Sequence, residues 1–230
     1  KCKSLMTRIP EVMDCWFESG SMPYAAKHYP FDHQEWFKQN FPCDFVSEYI
    51  AQVRTWFYYM HVLGVLLFDK PPFKNVMVTG TILAGDGTKM AKSKGNIVDP
   101  LGIIDTYGTD ALRFAMIFST AAGSDIPLAE DKVKGMKHFG NKVWNIARFV
   151  FTNTGNITAP EDSIPSPQTD ADKAILEQLR AATEEMTASL QNFELHKAAQ
   201  TAYDFVWYKF ADIYIEASKG QLKDETLKDS

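Results

Sequence analysis

The chain has 230 residues, of which 45% are hydrophobic and 23% charged, with a formal net charge of -5. That length holds one large domain or two ordinary ones, and the composition is that of a soluble globular protein. The acidic balance excludes a globally basic nucleic-acid binder and leaves only a local patch, or a surface elsewhere in a longer protein.

Cys2, Cys15 and Cys43 are odd in number and form no CxxC pair. They point away from a disulfide framework or a zinc site and fit a reducing cytoplasm. No charged stretch followed by an apolar leader opens the chain, and no apolar run reaches the roughly 18 residues of a membrane span. The expectation is a protein neither secreted nor membrane-spanning. The first residue is Lys1, and a piece of a longer chain is expected.

Residues 11–42 are rich in aromatics and prolines without clear periodicity, which reads as packed loops with short elements. From Ile50 to Phe68, Ile50, Val53, Phe57, Met60 and Leu63–Gly64 recur near helical spacing until Pro71-Pro72 ends the run. "NVMVTGTIL" (Asn75–Leu83) reads as one strand buried on both faces. Asp99-Pro100 predicts a capped helix to Tyr107, stopped by Gly108, and Thr109 is placed to cap the helix after it. Helix, buried strand, loop and helix in this order predict a parallel α/β sheet.

After Ser124 the strand pattern ends. Val133, Met136, Phe139, Val143, Ile146 and Val150 share one helical face, and Trp144 and Trp207 read as core. Residues 152–170 form a Pro/Ser/Thr-rich linker. Two further helices are predicted, Ala171–Gln191 and Leu195–Lys219, before a frayed terminus. The fold class is therefore α/β followed by all-α.

The chemistry concentrates in "GDGTKMAKSKGN" (Gly85–Asn96), which holds three lysines and three glycines. A glycine-bearing loop after a strand can bring ammonium groups and backbone N–H donors to a phosphate. It matches neither GxxxxGK[ST] nor GxGxxG, so residue types alone leave phosphate binding and a solvated turn both open.

"KMAKS" (Lys89–Ser93), with Lys94-Gly95-Asn96 and Asp99-Pro100 behind it, resembles the second signature of class I aminoacyl-tRNA synthetases, usually KMSKS. The resemblance implies that Lys89 and Lys92 neutralise the ATP triphosphate as pyrophosphate leaves, an electrostatic role. Ala91 stands where serine is usual and removes one hydroxyl but neither lysine. Upstream, Asp14–Ala25 and Phe41–Tyr58 resemble the isoleucyl branch of the isoleucyl/valyl/leucyl group, with its WF(D/E)SGS motif. By that resemblance Glu48 contacts the aminoacyl-adenylate and Gln52 holds it beside Arg54, with Trp56-Phe57 as the aromatic pair. Trp16 and Trp56 wall the amino-acid pocket, and Gly80, Met90 and Ser93 complete the ATP and adenylate contacts. Tyr49 replaces a glycine and Ala51 an aspartate of the family run. Without the resemblance, the two tryptophans read as core aromatics and Glu48 as a residue flanking a helix.

Lys92–Phe114, Lys132–Val150 and Phe193–Lys219 resemble the valyl branch more. The resemblance implies a Rossmann-like parallel-sheet catalytic half over residues 1–120 and a connecting, stem-contact-like helical region over 121–152. The start of an anticodon-binding helical bundle would occupy 153–230. It implies ATP taken with Mg2+, no protein-bound metal, tRNA and isoleucine or valine as partners, and a cytoplasmic, monomeric parent. The family's HxGH-type signature is absent from residues 1–230, and its editing insertion precedes "WFESGS". The chain is thus expected to be inactive alone, as the later half of a catalytic domain. Two alternatives stay open: a valine-specific enzyme, or a non-catalytic synthetase-like protein that binds RNA or a partner.

Overall fold

The structure, a computed structural model, describes residues 5, 7–11, 14–118, 120–155 and 166–223. It divides into two units, residues 1–80 and 81–230.

The first unit runs α1 (Cys15–Gly20), α2 (Met22–Ala25), α3 (Gln34–Asn40), β1 (Cys43–Tyr49), a 3-10 turn (Ile50–Arg54), α4 (Trp56–Phe68) and β2 (Phe73–Thr79). β1 and β2 are parallel, with Cys43 opposite Phe73 and Tyr49 opposite Thr79, so α4 is the crossover that a parallel pair requires. Val46, Phe57 and Met60 form the core, with Trp56, Phe73 and Val78 packed against it. The rings of Tyr29, Phe37, Phe41 and Phe68 cluster beside it and join α3 to the end of α4. Ring-to-ring packing explains why residues 11–42 carry no helical stripe. Gly20 permits the close approach of α1 to α4, because a Cβ there would lie 2.8 Å from Cβ of Tyr59.

Two expectations need correction in this unit. The predicted helix from Ile50 begins only at Trp56, and Ile50 and Val53 are 48% and 53% exposed. The side-chain oxygen of Gln52 accepts hydrogen bonds from Thr55 Oγ1 and from the Trp56 N–H, which starts α4 at that point. The predicted single strand over 75–83 is two strands. β2 ends at Thr79, and β3 (Ile82–Ala84) joins a different sheet. Lys74, Asn75 and Val76 are exposed because β2 pairs with β1 alone among the described residues.

After β3 the second unit holds a loop with a 3-10 turn (Lys92–Lys94), α5 (Pro100–Tyr107), α6 (Thr109–Ile117), β4 (Ile126–Leu128) and α7 (Glu130–Thr154). Then come α8 (Asp170–Gln191), α9 (Leu195–Asp204), a π-helix (Phe205–Tyr214) and α10 (Ile215–Gln221). β3 and β4 are parallel, with Ile82 opposite Ile126. β4 lies beyond the end of the sequence's strand pattern. It is three residues long and contains Pro127, so pairing with β3, not periodicity, defines it. As predicted, Asp99 caps α5, accepting from Leu101 N at 3.0 Å and Gly102 N at 3.3 Å. Thr109 is not a cap but the first residue of α6; Gly108, at φ 94°, turns the chain there without a side-chain bond.

Ala111, Leu112, Ala115, Leu128, Val133 and Met136 form the second core. Tyr203 of α9 reaches it, and its ring stacks on Trp207 at 5.5 Å and lies 4.8 Å from Phe139. Trp207 is thus packed as expected, but Trp144 is 73% exposed. The predicted face is buried at Val133 and Met136, but Val143, beside Trp144, is itself 43% exposed, so the helix is not packed at that turn. The predicted helix over 195–219 is continuous but widens to a π-helix over its middle, a form that sequence periodicity does not signal. α8 starts with a capping box between Thr169 and Asp172. Tyr214 and Gln221 also donate to Asp172, tying the end of the chain's described part to the start of α8.

Residues 152–154 of the predicted linker are the last turn of α7, while 156–165 and, at the terminus, 224–230 lie outside the described residues. Among the described residues no helix is long and apolar enough to cross a membrane.

Candidate functional site

Open parallel sheets bind ligands beyond the carboxyl ends of their strands, and each unit places its candidate residues at such an end. In the first unit, Glu48 lies opposite Val78 and Tyr49 opposite Thr79, so Glu48 and Gly80 stand at neighbouring strand ends. Glu48 is exposed, and its Oε2 accepts from the Tyr49 N–H at 2.9 Å. The bond orients the carboxylate at the rim. Tyr49, which replaces a family glycine, therefore contributes its backbone here.

Gln52 is buried, and its carbonyl oxygen is already engaged in starting α4. Its amide NH2 is the group that remains to donate. Trp56, the first residue of α4, donates its indole N–H to the Ser19 carbonyl at 3.1 Å, and Ser19 Oγ donates to the Trp16 carbonyl at 3.2 Å. Asp14 completes the frame. It accepts from Trp16 N at 3.1 Å as the cap of α1 and from the Tyr59 hydroxyl at 2.6 Å. The Tyr59 hydrogen bond, with the Trp16 backbone bond, holds the Asp14 carboxyl below its ordinary value; the same carboxylate pushes the Tyr59 phenol up. Trp16 and Trp56, both half-buried, are thus held on two helices locked to each other.

The sequence reading missed Asp14, Ser19 and Tyr59. Asp14 was findable as a cap residue before a helix. Ser19 acts through its carbonyl, which no residue type announces.

In the second unit the lysine loop follows β3. Gly87 N donates to Ala84 O at 2.8 Å and Ala84 N to Thr88 O at 2.9 Å, closing a tight turn in which Gly87 takes φ 78°. Asp86 accepts from both the backbone and the hydroxyl of Thr88. Those two bonds hold its carboxyl below the ordinary value, so it stays anionic and fixes the turn. Met90 and Val98 pack on the second core and anchor the loop's two limbs. Lys89, Lys92, Ser93 and Lys94 remain exposed, and none of the lysines makes an ion pair among the described residues. Three ammonium groups on a pinned backbone suit a polyphosphate, where each acts as a point charge. No group of three or more His, Cys, Asp or Glu side chains suited to a metal occurs among the described residues.

Comparison with known proteins identifies the family. Residues 1–129 match the family described as tRNA synthetases class I (I, L, M and V), and residues 172–230 match the anticodon-binding domain of tRNA ligase. The chain is 39% identical over 217 residues to the isoleucine–tRNA ligase of Wolbachia sp. subsp. Brugia malayi (strain TRS), covering 90% of this chain and 19% of that protein. It therefore spans about a fifth of the length of the curated relatives it matches. In fold it resembles LeuRS of Agrobacterium radiobacter K84, solved with tRNA and LeuAMS (TM-score 0.77, 20% identity, 96% of this chain and 28% of that one). It also resembles Mycobacterium tuberculosis methionyl-tRNA synthetase in complex with methionyl-adenylate (TM-score 0.71, 20% identity, 89% and 41%). With more than half its length matched, the chain belongs to the class I tRNA synthetases of the isoleucine, leucine, methionine and valine group.

Proposed function

We propose that this chain is part of an isoleucine–tRNA ligase, acting in the cytoplasm as a monomer. The observation that carries the reading is the lysine loop. Lys89 and Lys92 stand exposed and without ion pairs on a backbone pinned beyond β3, in a chain 39% identical to an isoleucine–tRNA ligase over 90% of its length.

The reaction has two steps. The carboxylate of isoleucine attacks the α-phosphate of ATP, supplied as its magnesium complex, and pyrophosphate leaves. A hydroxyl of the terminal tRNA ribose then takes the acyl group from the adenylate. The protein contributes position and charge. Lys89 and Lys92 neutralise the charge that develops on the departing pyrophosphate, and Ser93 offers a hydroxyl beside them. Glu48 and the amide of Gln52 hold the adenylate at the end of β1, with Gly80 at the end of the neighbouring strand. Met90 serves the nucleotide by holding its loop in place.

Trp16 and Trp56 wall the side-chain pocket. Such a pocket separates isoleucine from valine by only about 1–3 kcal/mol. Residues 1–120 are the catalytic half, 121–152 the connector and 153–230 the start of the bundle that meets tRNA. The solved complexes of LeuRS with tRNA and of methionyl-tRNA synthetase with its adenylate support both ligand classes.

The test is ATP–pyrophosphate exchange by the full-length gene product with isoleucine, valine and leucine supplied one at a time. Exchange driven by isoleucine is expected. Exchange driven by valine alone would transfer the assignment to a valine enzyme, and none with any amino acid would sink the ligase reading. The 230-residue chain alone is expected to be inactive.

A further inference from the structure

Resting on that reading, we infer that Asn96 is the positioning residue of the lysine loop: its side chain ties the two limbs together and sets where Lys89 and Lys92 stand.

The loop leaves β3 through the turn at Gly85–Gly87, and an isolated antiparallel bridge pairs Leu83 with Lys89. Beyond Lys89 the backbone passes through Met90 and extended Ala91, makes a single 3-10 turn over Lys92–Lys94, and reverses at Gly95 with φ 65°. That reversal returns Asn96 to the limb it left. Its Nδ2 donates to Thr88 Oγ1 at 3.1 Å and to the Lys89 carbonyl at 3.3 Å, while its Oδ1 accepts from the Ala91 N–H at 2.9 Å. One half-buried amide thus satisfies three groups on the outgoing limb. Two of them, the Lys89 carbonyl and the Ala91 N–H, flank Met90 and stand between the two lysines that the chemistry needs.

Only an amide can fill this position. It must donate twice and accept once from one planar group, and a carboxylate, hydroxyl or ammonium cannot do both. The same geometry accounts for alanine at position 91, where the family usually has serine. What Ala91 supplies to the clamp is its backbone N–H, which any residue but proline possesses. Lys89 and Lys92 have no carboxylate partner among the described residues to hold them, so the backbone beneath them fixes their reach. A catalytic group displaced by about 1 Å can lose on the order of a hundredfold in rate.

The experiment uses the full-length protein with Asn96→Ala, Asn96→Asp, Lys92→Ala and the double variant Asn96→Ala/Lys92→Ala. ATP–pyrophosphate exchange gives kcat and the KM for isoleucine. Limited trypsin digestion, read by mass spectrometry, gives the rate of cleavage after Lys89, Lys92 and Lys94. For Asn96→Ala, kcat is expected to fall about 10- to 100-fold with the isoleucine KM unchanged. Loop cleavage should accelerate about tenfold, the scale of losing one or two net hydrogen bonds, with an unchanged unfolding temperature. Asn96→Asp keeps the acceptor but turns a carboxylate oxygen toward the Lys89 carbonyl, so it should lose at least as much as Asn96→Ala.

The double variant is the decisive arm. If Asn96 acts through the lysines, its effect on kcat shrinks once Lys92 is gone, what is left acting through Lys89. Full additivity, or cleavage at the wild-type rate, overturns the proposal. Should the wild-type protein exchange with no amino acid, the ligase reading falls while the cleavage rates still decide the clamp.

Discussion

The Trp56 indole N–H donates to the Ser19 carbonyl at 3.1 Å, joining two positions 37 apart in sequence. The bond closes one side of the proposed amino-acid pocket, because it sets the indole plane against the helix that carries Trp16. Trp56→Phe keeps a ring but loses that donor. It is expected to cost about 1 kcal/mol of stability and to raise the isoleucine KM, with Ile/Val discrimination reduced. Amino-acid-dependent exchange kinetics check it, and unchanged discrimination would remove Trp56 from the pocket.

Lys89→Ala and Lys92→Ala should each lower the rate of adenylate formation in the full-length enzyme by about 10²–10³-fold, the scale of one electrostatic transition-state contact. Isoleucine binding, measured by calorimetry without ATP, should be unaffected. A loss of amino-acid affinity equal to the loss of rate would mean the lysines act on folding, not on phosphate.

Gly20 packs against Tyr59 so closely that any side chain must displace backbone as well as Cβ. Gly20→Ala should therefore destabilise the protein by about 1–3 kcal/mol, the usual cost of overpacking. Thermal unfolding measures it. A neutral result would show that α1 can slide along α4.

The Asp172 hub gives a pH signature. Burial alone would raise its carboxyl, yet hydrogen bonds from Thr169, Gln221 and Tyr214 prevail and hold it below 3.8. A folded-state value below the unfolded one means stability that is present above the unfolded pKa and lost as pH falls through the folded one. Tyr214, pushed up to about 12 by burial and by the Asp172 carboxylate, runs the other way. Its contribution is complete below about 10 and fades as pH rises toward 12. Asp172→Ala should cost about 2–3 kcal/mol near neutral pH and flatten the acid limb of the stability curve. Tyr214→Phe should remove a late-ionising tyrosine from the alkaline absorbance titration. If wild-type Tyr214 ionises with the exposed tyrosines, the hub is open in solution.

Short-range chemistry was enough for much of this protein. The Asp99-Pro100 cap, the Gly108 stop, the break at Pro71-Pro72, the Val133 and Met136 stripe and the lysine loop itself each depend on residues within a few positions of one another. Covalent geometry and helical period decide such features before any tertiary contact forms. Spacing could not reveal which apolar residues find a partner. Trp144 is as hydrophobic as Trp207, but only Trp207 meets Tyr203 and Phe139. Likewise, "NVMVTGTIL" is apolar throughout, yet it divides at Gly80 because its two halves pair with different strands. The start of α4 turned on the Gln52 side chain, and the shape of the lysine loop on one amide returning from Asn96. Hydrogen bonds of that kind depend on where the chain comes back in space, which residue type alone does not encode.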